Sequence, residues 1–226
     1  NVLIGGYIQH QRCKEALVVF HQMQQEGIFT DLITYTCILK ACGSLVSIEK
    51  GQEIHSEIMK KGFAEKDEVG NALIDMYCKC SYFAEAESTL ENLSIKSLVS
   101  WNALISGYAD HDHAEEAIKC FSRMQVEGFH PNAFTYVSIV KSCNNIGAID
   151  KGKELHLEIA KNGLLEGDRL LGSSLLDMYA KYGMLEKAQE VFDGLAFHDV
   201  VSWTSLIAGY AEHGFGEAAL TCFEKM

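Results

Sequence analysis

The segment Lys40–Gly62, KACGSLVSIEKGQEIHSEIMKKG, and the segment Lys141–Gly163, KSCNNIGAIDKGKELHLEIAKNG, share eleven identical positions at an offset of 101 residues. Two more pairs of segments repeat at an offset of 102. Asn71–Tyr77, NALIDMY, matches Ser173–Tyr179, SSLLDMY, and Ser100–Tyr108, SWNALISGY, matches Ser202–Tyr210, SWTSLIAGY. The chain is therefore built on a super-repeat of about a hundred residues, and repetition on this scale marks an array of small supersecondary units.

Each super-repeat divides into three related units. A unit opens with an apolar pair followed by an aromatic residue or cysteine, as in Leu104, Ile105 and Tyr108, Leu175, Leu176 and Tyr179, or Ile139, Val140 and Cys143. Spacing of i, i+1, i+4 places these on one helical face. After a polar or glycine-bearing turn comes a second helical stripe, such as Ala117, Ile118, Phe121 and Met124, or Ala188, Val191, Phe192 and Leu195. Alanine lets the two helices approach closely, and the next hairpin covers the stripe that one hairpin leaves bare. A single proline, Pro131, among 226 residues with 19 glycines fits many helices joined by short turns. The predicted fold class is all-α, a right-handed superhelical solenoid of antiparallel helix-turn-helix repeats over residues 1–226.

Composition narrows the function. Hydrophobic residues make up 48% of the chain, enough for a large core. No apolar run approaches bilayer length, so no membrane partner is expected. The eight cysteines, at 13, 37, 42, 78, 80, 120, 143 and 222, contain no Cys-x-x-Cys pair and read as buried, reduced thiols. Net charge is −12, unusual for a nucleic-acid binder, but its placement matters more than its sum. If the first helices are 1–11, 34–43, 70–82, 101–113, 134–145, 171–183 and 202–213, they hold Lys40, Lys79, Lys141 and Lys181 against Asp75, Asp110, Asp112, Asp177 and Glu212. The acidity then belongs mostly to second helices and turns, where it favours solubility and weakens non-specific binding.

The phrases VSWNALISGYA, KACGSLVSIEKGQEIH, NALIDMYCK and VVSWTSLIAGYAEHG resemble the pentatricopeptide repeat family, specifically its plant subclass with alternating P, L and S motifs. The resemblance covers the whole chain. It divides it into a partial P motif at 1–31, L at 32–66, S at 67–97, P at 98–132, L at 133–168, S at 169–199 and a partial P at 200–226. The tetratricopeptide alternative, of similar length, lacks its Trp-Leu-Gly-Tyr pattern here. Asn1 aligns with Asn102 and Met226 with Met124, so both ends are expected to cut through hairpins of a longer protein.

The resemblance implies single-stranded RNA as the partner, read one base per repeat. The reading residues are one early in the first helix and the last residue of the repeat. Carried over, Asn1 with Asp31 resembles a uridine reader, Asn71 with Ser97 a cytidine reader, Asn102 with Asn132 a pyrimidine reader, and Ser173 with Asp199 a guanosine reader. Thr204 resembles a purine reader. Thr36 pairs with Lys66 or Asp67, and Val137 with Asp168 departs from the pattern, since valine cannot hydrogen-bond a base. Ile33, Val69, Val99, Phe134, Leu170 and Val201 are the implied base-sandwiching positions, and Lys79 and Lys181 the implied phosphate contacts. The RNA is expected to run 5′ to 3′ along the chain as U, unassigned, C, pyrimidine, unassigned, G, purine. The subclass implies a mitochondrion or chloroplast, a role in specifying cytidine-to-uridine editing sites, and organellar RNA-editing or processing proteins as further partners.

Enzymatic readings have little to stand on. His55-Ser56-Glu57 and His156-Leu157-Glu158 have the His-x-Glu form of a zinc deaminase, yet the Pro-Cys-x-x-Cys partner is absent and both triplets recur at one place in the repeat. His111-Asp112-His113 falls at a turn without a third ligand. No phosphate loop or nucleophile elbow is present, and no metal, cofactor or small-molecule substrate is expected. The rival from another class is a helical scaffold for protein–protein interaction. Four of seven units carry a complete base-reading pair, which favours RNA.

Overall fold

The computed structural model describes residues 1–63, 66–165 and 168–226. Among them all regular structure is α-helical, and no strand occurs. The chain forms two compact units, Asn1–His111 and Asp112–Met226. The first holds α1 (Val2–Gln9), α2 (Cys13–Gln25), α3 (Leu32–Ser44), α4 (Ile48–Lys60), α5 (Asp67–Lys79), α6 (Phe83–Asn92) and α7 (Leu98–Asp110). The second holds α8 (Ala114–Val126), α9 (Ala133–Ile146), α10 (Ile149–Lys161), α11 (Arg169–Lys181), α12 (Leu185–Gly194), α13 (Val200–Glu212) and α14 (Gly216–Lys225).

The stripes read from the sequence are the cores. In the first unit α1, α3, α5 and α7 pack side by side, and α2, α4 and α6 each lie against two of them. Phe20, Tyr35, Ile38, Leu39, Ile54, Leu73, Ile74, Leu104 and Ile105 are fully buried there. In the second unit α9, α11 and α13 form the row, backed by α8, α10, α12 and α14. Phe121, Tyr136, Ile139, Val140, Leu155, Leu175, Leu176 and Leu206 fill its core. The row helices run parallel, because like ends meet. Asn1 at the start of α1 bonds Asp31 at the start of α3. Lys181 and Tyr182 at the end of α11 bond the carbonyl of Asn144 near the end of α9.

Two backbone features set this spacing. At Gly209 of α13, an added Cβ would sit 2.7 Å from the Cβ and 3.1 Å from the Cα of Ala180 on α11. Only hydrogen fits between the helices at that point. The turn between the helices of a hairpin carries one residue in the left-handed region: Gly147 has φ 72°, and Val46, its counterpart at the offset of 101, has φ 51°. For a β-branched residue that region is strained.

The recurring His-x-Glu triplets are ties between hairpins. Glu57 accepts from the Tyr35 hydroxyl at 2.6 Å and from Gln24 Nε2 at 2.9 Å. Glu158 accepts from Tyr136 at 2.9 Å and Gln125 at 3.0 Å. Burial and then the neighbouring glutamate raise the pKa of both tyrosines. The histidines reach forward instead: His55 meets the Tyr77 hydroxyl at 2.7 Å and His156 meets Tyr179 at 2.9 Å. All eight cysteines are free thiols, and burial pushes Cys42 and Cys143 up to about 11.

Candidate nucleic-acid interface

The last residue of a repeat is the N-cap of the next row helix. Asp31, Ser97, Asn132, Asp168 and Asp199 precede α3, α7, α9, α11 and α13, and each accepts from the amide three residues on. The donors are Thr34 at 2.8 Å, Ser100 at 3.2 Å, Thr135 at 3.0 Å, Leu171 at 3.1 Å and Ser202 at 2.9 Å. These amides have no partner within the helix, so a short polar side chain is required there. The same amides hold the Asp31 and Asp199 carboxyls below the ordinary aspartate range. Lys66, rather than Asp67, occupies this place before α5 and makes no side-chain cap. Asp67 and Glu68 bring negative charge to that uncapped first turn instead.

Five row helices, α3, α7, α9, α11 and α13, expose an apolar side chain in the first turn at the expected position. Ile33, Val99, Phe134, Leu170 and Val201 range from 54% exposed for Phe134 to 71% for Leu170. Val69 departs from this set. It is 0% exposed, in the core like Leu171 of α11, and so cannot face a base. The exposed position on α5, one residue earlier and matching Leu170 at the offset of 102, holds Glu68. Successive helical residues lie about 100° apart, so one residue of register separates core from surface.

The early-helix residues are held differently from unit to unit. Asn1 Nδ2 donates to Asp31 Oδ2 at 2.7 Å, and the Thr34 hydroxyl bridges Asn1 Oδ1 at 2.5 Å and Asp31 Oδ1 at 2.8 Å. Asn71 is half-buried, and its Oδ1 is buried with no protein partner. Thr36 donates to the Ile33 carbonyl and Thr204 to the carbonyls of Val200 and Val201. Val137 is half-buried on α9. Asn102, nearly buried on α7, belongs to the first unit and Asn132 to the second. Ser173 and Asp199 come together, lining a cavity of about 120 Å³ with Asp168, Arg169 and Phe197.

The two lysines also differ. Lys79 pairs with Asp75 at 2.7 Å. Lys181 donates to the Asn144 carbonyl, while Asp177, the counterpart of Asp75, accepts from Asn144 Nδ2 at 2.9 Å. Asn144 replaces Gly43 at the offset of 101, and its side chain draws the aspartate away from the lysine. Five of the row helices, α3, α5, α7, α11 and α13, begin two or three residues earlier than the sequence suggests, which adds Asp67, Glu68 and Arg169 to the row's charges. No repeat pattern marks Glu68, Arg169 or Phe197; comparing offset-matched positions for charge would have found the first two. A larger concavity, of about 800 Å³, lies between α4, α5 and α6, lined by His55, Leu73, Tyr77 and Thr89 rather than by the first turns of the row helices. Among the described residues no cluster of three or more His, Cys, Asp or Glu could hold a metal ion. No helix among them is long and apolar enough to cross a membrane.

Parallel row helices, five of them opened by a polar side-chain cap beside an exposed apolar residue and each packed against a second helix, define a helical-hairpin repeat protein. The PPR repeat family profile matches residues 1–44 and 96–145, and the PPR repeat profile matches 33–63, 71–94, 173–196 and 201–226. The chain belongs to the PPR repeat family. It is 38% identical to a mitochondrial pentatricopeptide repeat-containing protein of Arabidopsis thaliana, over 100% of this chain and 36% of the relative. A chloroplastic one from the same plant is 35% identical, over 100% of this chain and 28% of the relative. The chain thus spans about a third of the length of such relatives. Its fold is similar to that of the pentatricopeptide repeat protein PPR10 in complex with an 18-nt psaJ RNA element. The TM-score is 0.56 at 18% identity, covering 99% of this chain and 39% of that one. For a second structure of PPR10, from maize, the TM-score is 0.57 at 19% identity, covering 99% of this chain and 37% of that one.

Proposed function

We propose that this chain binds single-stranded RNA by reading one base per repeat, without itself being an enzyme. The observation that carries the reading is the recurrence, at the start of the row helices, of a capping Asp, Asn or Ser beside an exposed apolar side chain. Apolar faces stack on bases of any kind, and the polar group selects among them by hydrogen bonding. Asn1 with Asp31, Asn71 with Ser97, and Ser173 with Asp199 are the base-reading pairs, Asn102 and Asn132 are further base-reading residues, each in its own unit, and Thr204 opens another pair. Thr36 with Lys66, and Val137 with Asp168, mark the L-type repeats of a P, L, S alternation. Ile33, Val99, Phe134, Leu170 and Val201 are the proposed stacking side chains, a role their exposure supports, and the buried Val69 is not among them. Lys181 is the better placed phosphate contact, since Lys79 already has a carboxylate partner. The setting is organellar RNA processing, such as the choice of cytidine-to-uridine editing sites in a mitochondrion or chloroplast. Relatives with either organelle in their names support that setting. The test is selection of bound RNA from a random pool, read by sequencing. An enriched motif with C three positions before G supports the reading, and an unenriched pool overturns it.

The concavity between α4, α5 and α6 favours a second reading, in which a processing protein docks on the same chain. Retention of RNA affinity with loss of such a partner in a Thr89→Arg variant would separate the two surfaces.

A further inference from the structure

The two copies of the super-repeat differ in charge at the first turns of α5 and α11. Where α5 carries Asp67 and Glu68, α11 carries Arg169 and Leu170. The acids of α5 have a structural reason, since its N-terminus lacks a side-chain cap. Arg169 has none. It sits at the first position of a helix that Asp168 already caps, where the helix dipole disfavours a cation. Its guanidinium lies over the exposed ring of Phe197, 5.3 Å from the centroid, and its charge helps to lower the Asp199 carboxyl, though among the described residues no ion pair within 4 Å holds it. It borders the cavity shared by Ser173 and Asp199.

We propose that Arg169 is a third base-reading side chain at the Ser173–Asp199 site and makes that site selective for guanine. The inference rests on the RNA-binding reading above. The donor and acceptor pattern of the cavity carries it. Asp199 is an anion with lone pairs left after capping Ser202, so it accepts from the N1–H and N2–H of guanine. Arg169 donates to O6 and N7, two acceptors that match the guanidinium fork. Adenine presents an amino donor where O6 stands, so the guanidinium meets a donor and the carboxylate loses its partners. The Phe197 ring packs on one side of the guanidinium, and both side chains line the cavity.

The experiment measures affinity for four RNAs with the core UACUAXA in oligouridine flanks, X being G, A, C or U. Wild type, Arg169→Ala and Arg169→Lys are compared, with thermal melts to confirm that each is folded. The expected result is tightest wild-type binding at X = G, and a loss of about tenfold or more in Arg169→Ala confined to that RNA. Arg169→Lys recovers little of the loss, because an ammonium cannot bridge O6 and N7 in the same way. An equal loss on all four RNAs, largely restored by lysine, would make Arg169 a phosphate contact and overturn the proposal. Equal wild-type affinity for all four overturns it too, while leaving RNA binding intact. Failure of wild type to bind any of them overturns the RNA reading as well.

Discussion

His55 Nδ1 lies 2.7 Å from the hydroxyl of Tyr77, and this contact ties the second helix of one hairpin to the first helix of the next. His156 and Tyr179 repeat it in the second unit. Burial holds both imidazoles below the ordinary histidine pKa, so the folded chain binds fewer protons than the unfolded one in mild acid. Their contribution to stability is complete above the ordinary pKa and is lost as pH falls through the depressed folded value. Denaturation midpoints should fall between pH 7.5 and pH 5.5. The double variant His55→Gln, His156→Gln should show a shallower fall over that window. An unchanged slope would mean that other groups set the pH dependence.

Val46 holds a left-handed turn conformation that Gly147 adopts without strain at the matching position. Its side chain is exposed, so little burial is lost on removing it. Val46→Gly should stabilise the first unit by about 1 kcal/mol, after the entropic cost of glycine is taken off the relief of strain. A thermal melt should rise by roughly 2–4 °C for a chain of this size. Gly147→Val should lower it by at least as much.

These two features mark where sequence stopped being informative. The stripe of Leu104, Ile105 and Tyr108 and its repeat at Leu206 are visible because burial imposes a 3.6-residue period. The strain at Val46 leaves no such period, and only its pairing with Gly147 hints at it. The misassignment of Val69 has a sharper cause. Glu68-Val69 offers one apolar residue where an exposed apolar one was sought, and only packing reveals that it points inward. The role of His55 and Glu57 was equally hidden, since their tyrosine partners lie 22 residues away in opposite directions.

Gly209→Ala tests the close approach of α11 and α13. Helix propensity alone favours alanine by about 1 kcal/mol. The new methyl, however, would meet the Cβ and backbone of Ala180, which cannot rotate away. Overpacking of this kind costs about 1–3 kcal/mol, so the net change should be neutral to destabilising. Gly6→Ala in α1 meets nothing within 4 Å and should be stabilising. Urea midpoints of the two variants moving in the same upward direction would refute the tight crossing.

Asp199 should reveal its two duties when they are separated. Asp199→Ala removes the acceptor for Ser202 and should cost about 0.5–2 kcal/mol of stability. Asp199→Asn keeps an oxygen for the same amide and should cost far less. Both should weaken binding to RNA with guanine at the matching position. Equal destabilisation by the two changes would show that charge, rather than capping, is what the helix needs.

Salt dependence should be shallow for a nucleic-acid binder. With about two to four phosphate contacts, log affinity against log salt should have a slope near −1.4 to −2.8 on a single strand. A slope steeper than about −5 in a titration of binding against salt would place the basic surface elsewhere.

On the proposed reading, the repeat's last residue both caps a helix and reads a base, and this double service bears on how such a reader acquires new targets. Aspartate, asparagine and serine all cap helices well, and asparagine is one nucleotide change from either of the others in the genetic code. A swap within this trio alters which hydrogen bonds the group offers a base while the helix behind it stays anchored. On that reading, changes of target at Asp31, Ser97, Asn132 and Asp199 travel along a mutational path that scarcely touches folding. At Lys66, where no cap is made, that path is closed, and a new preference there must first build an anchor.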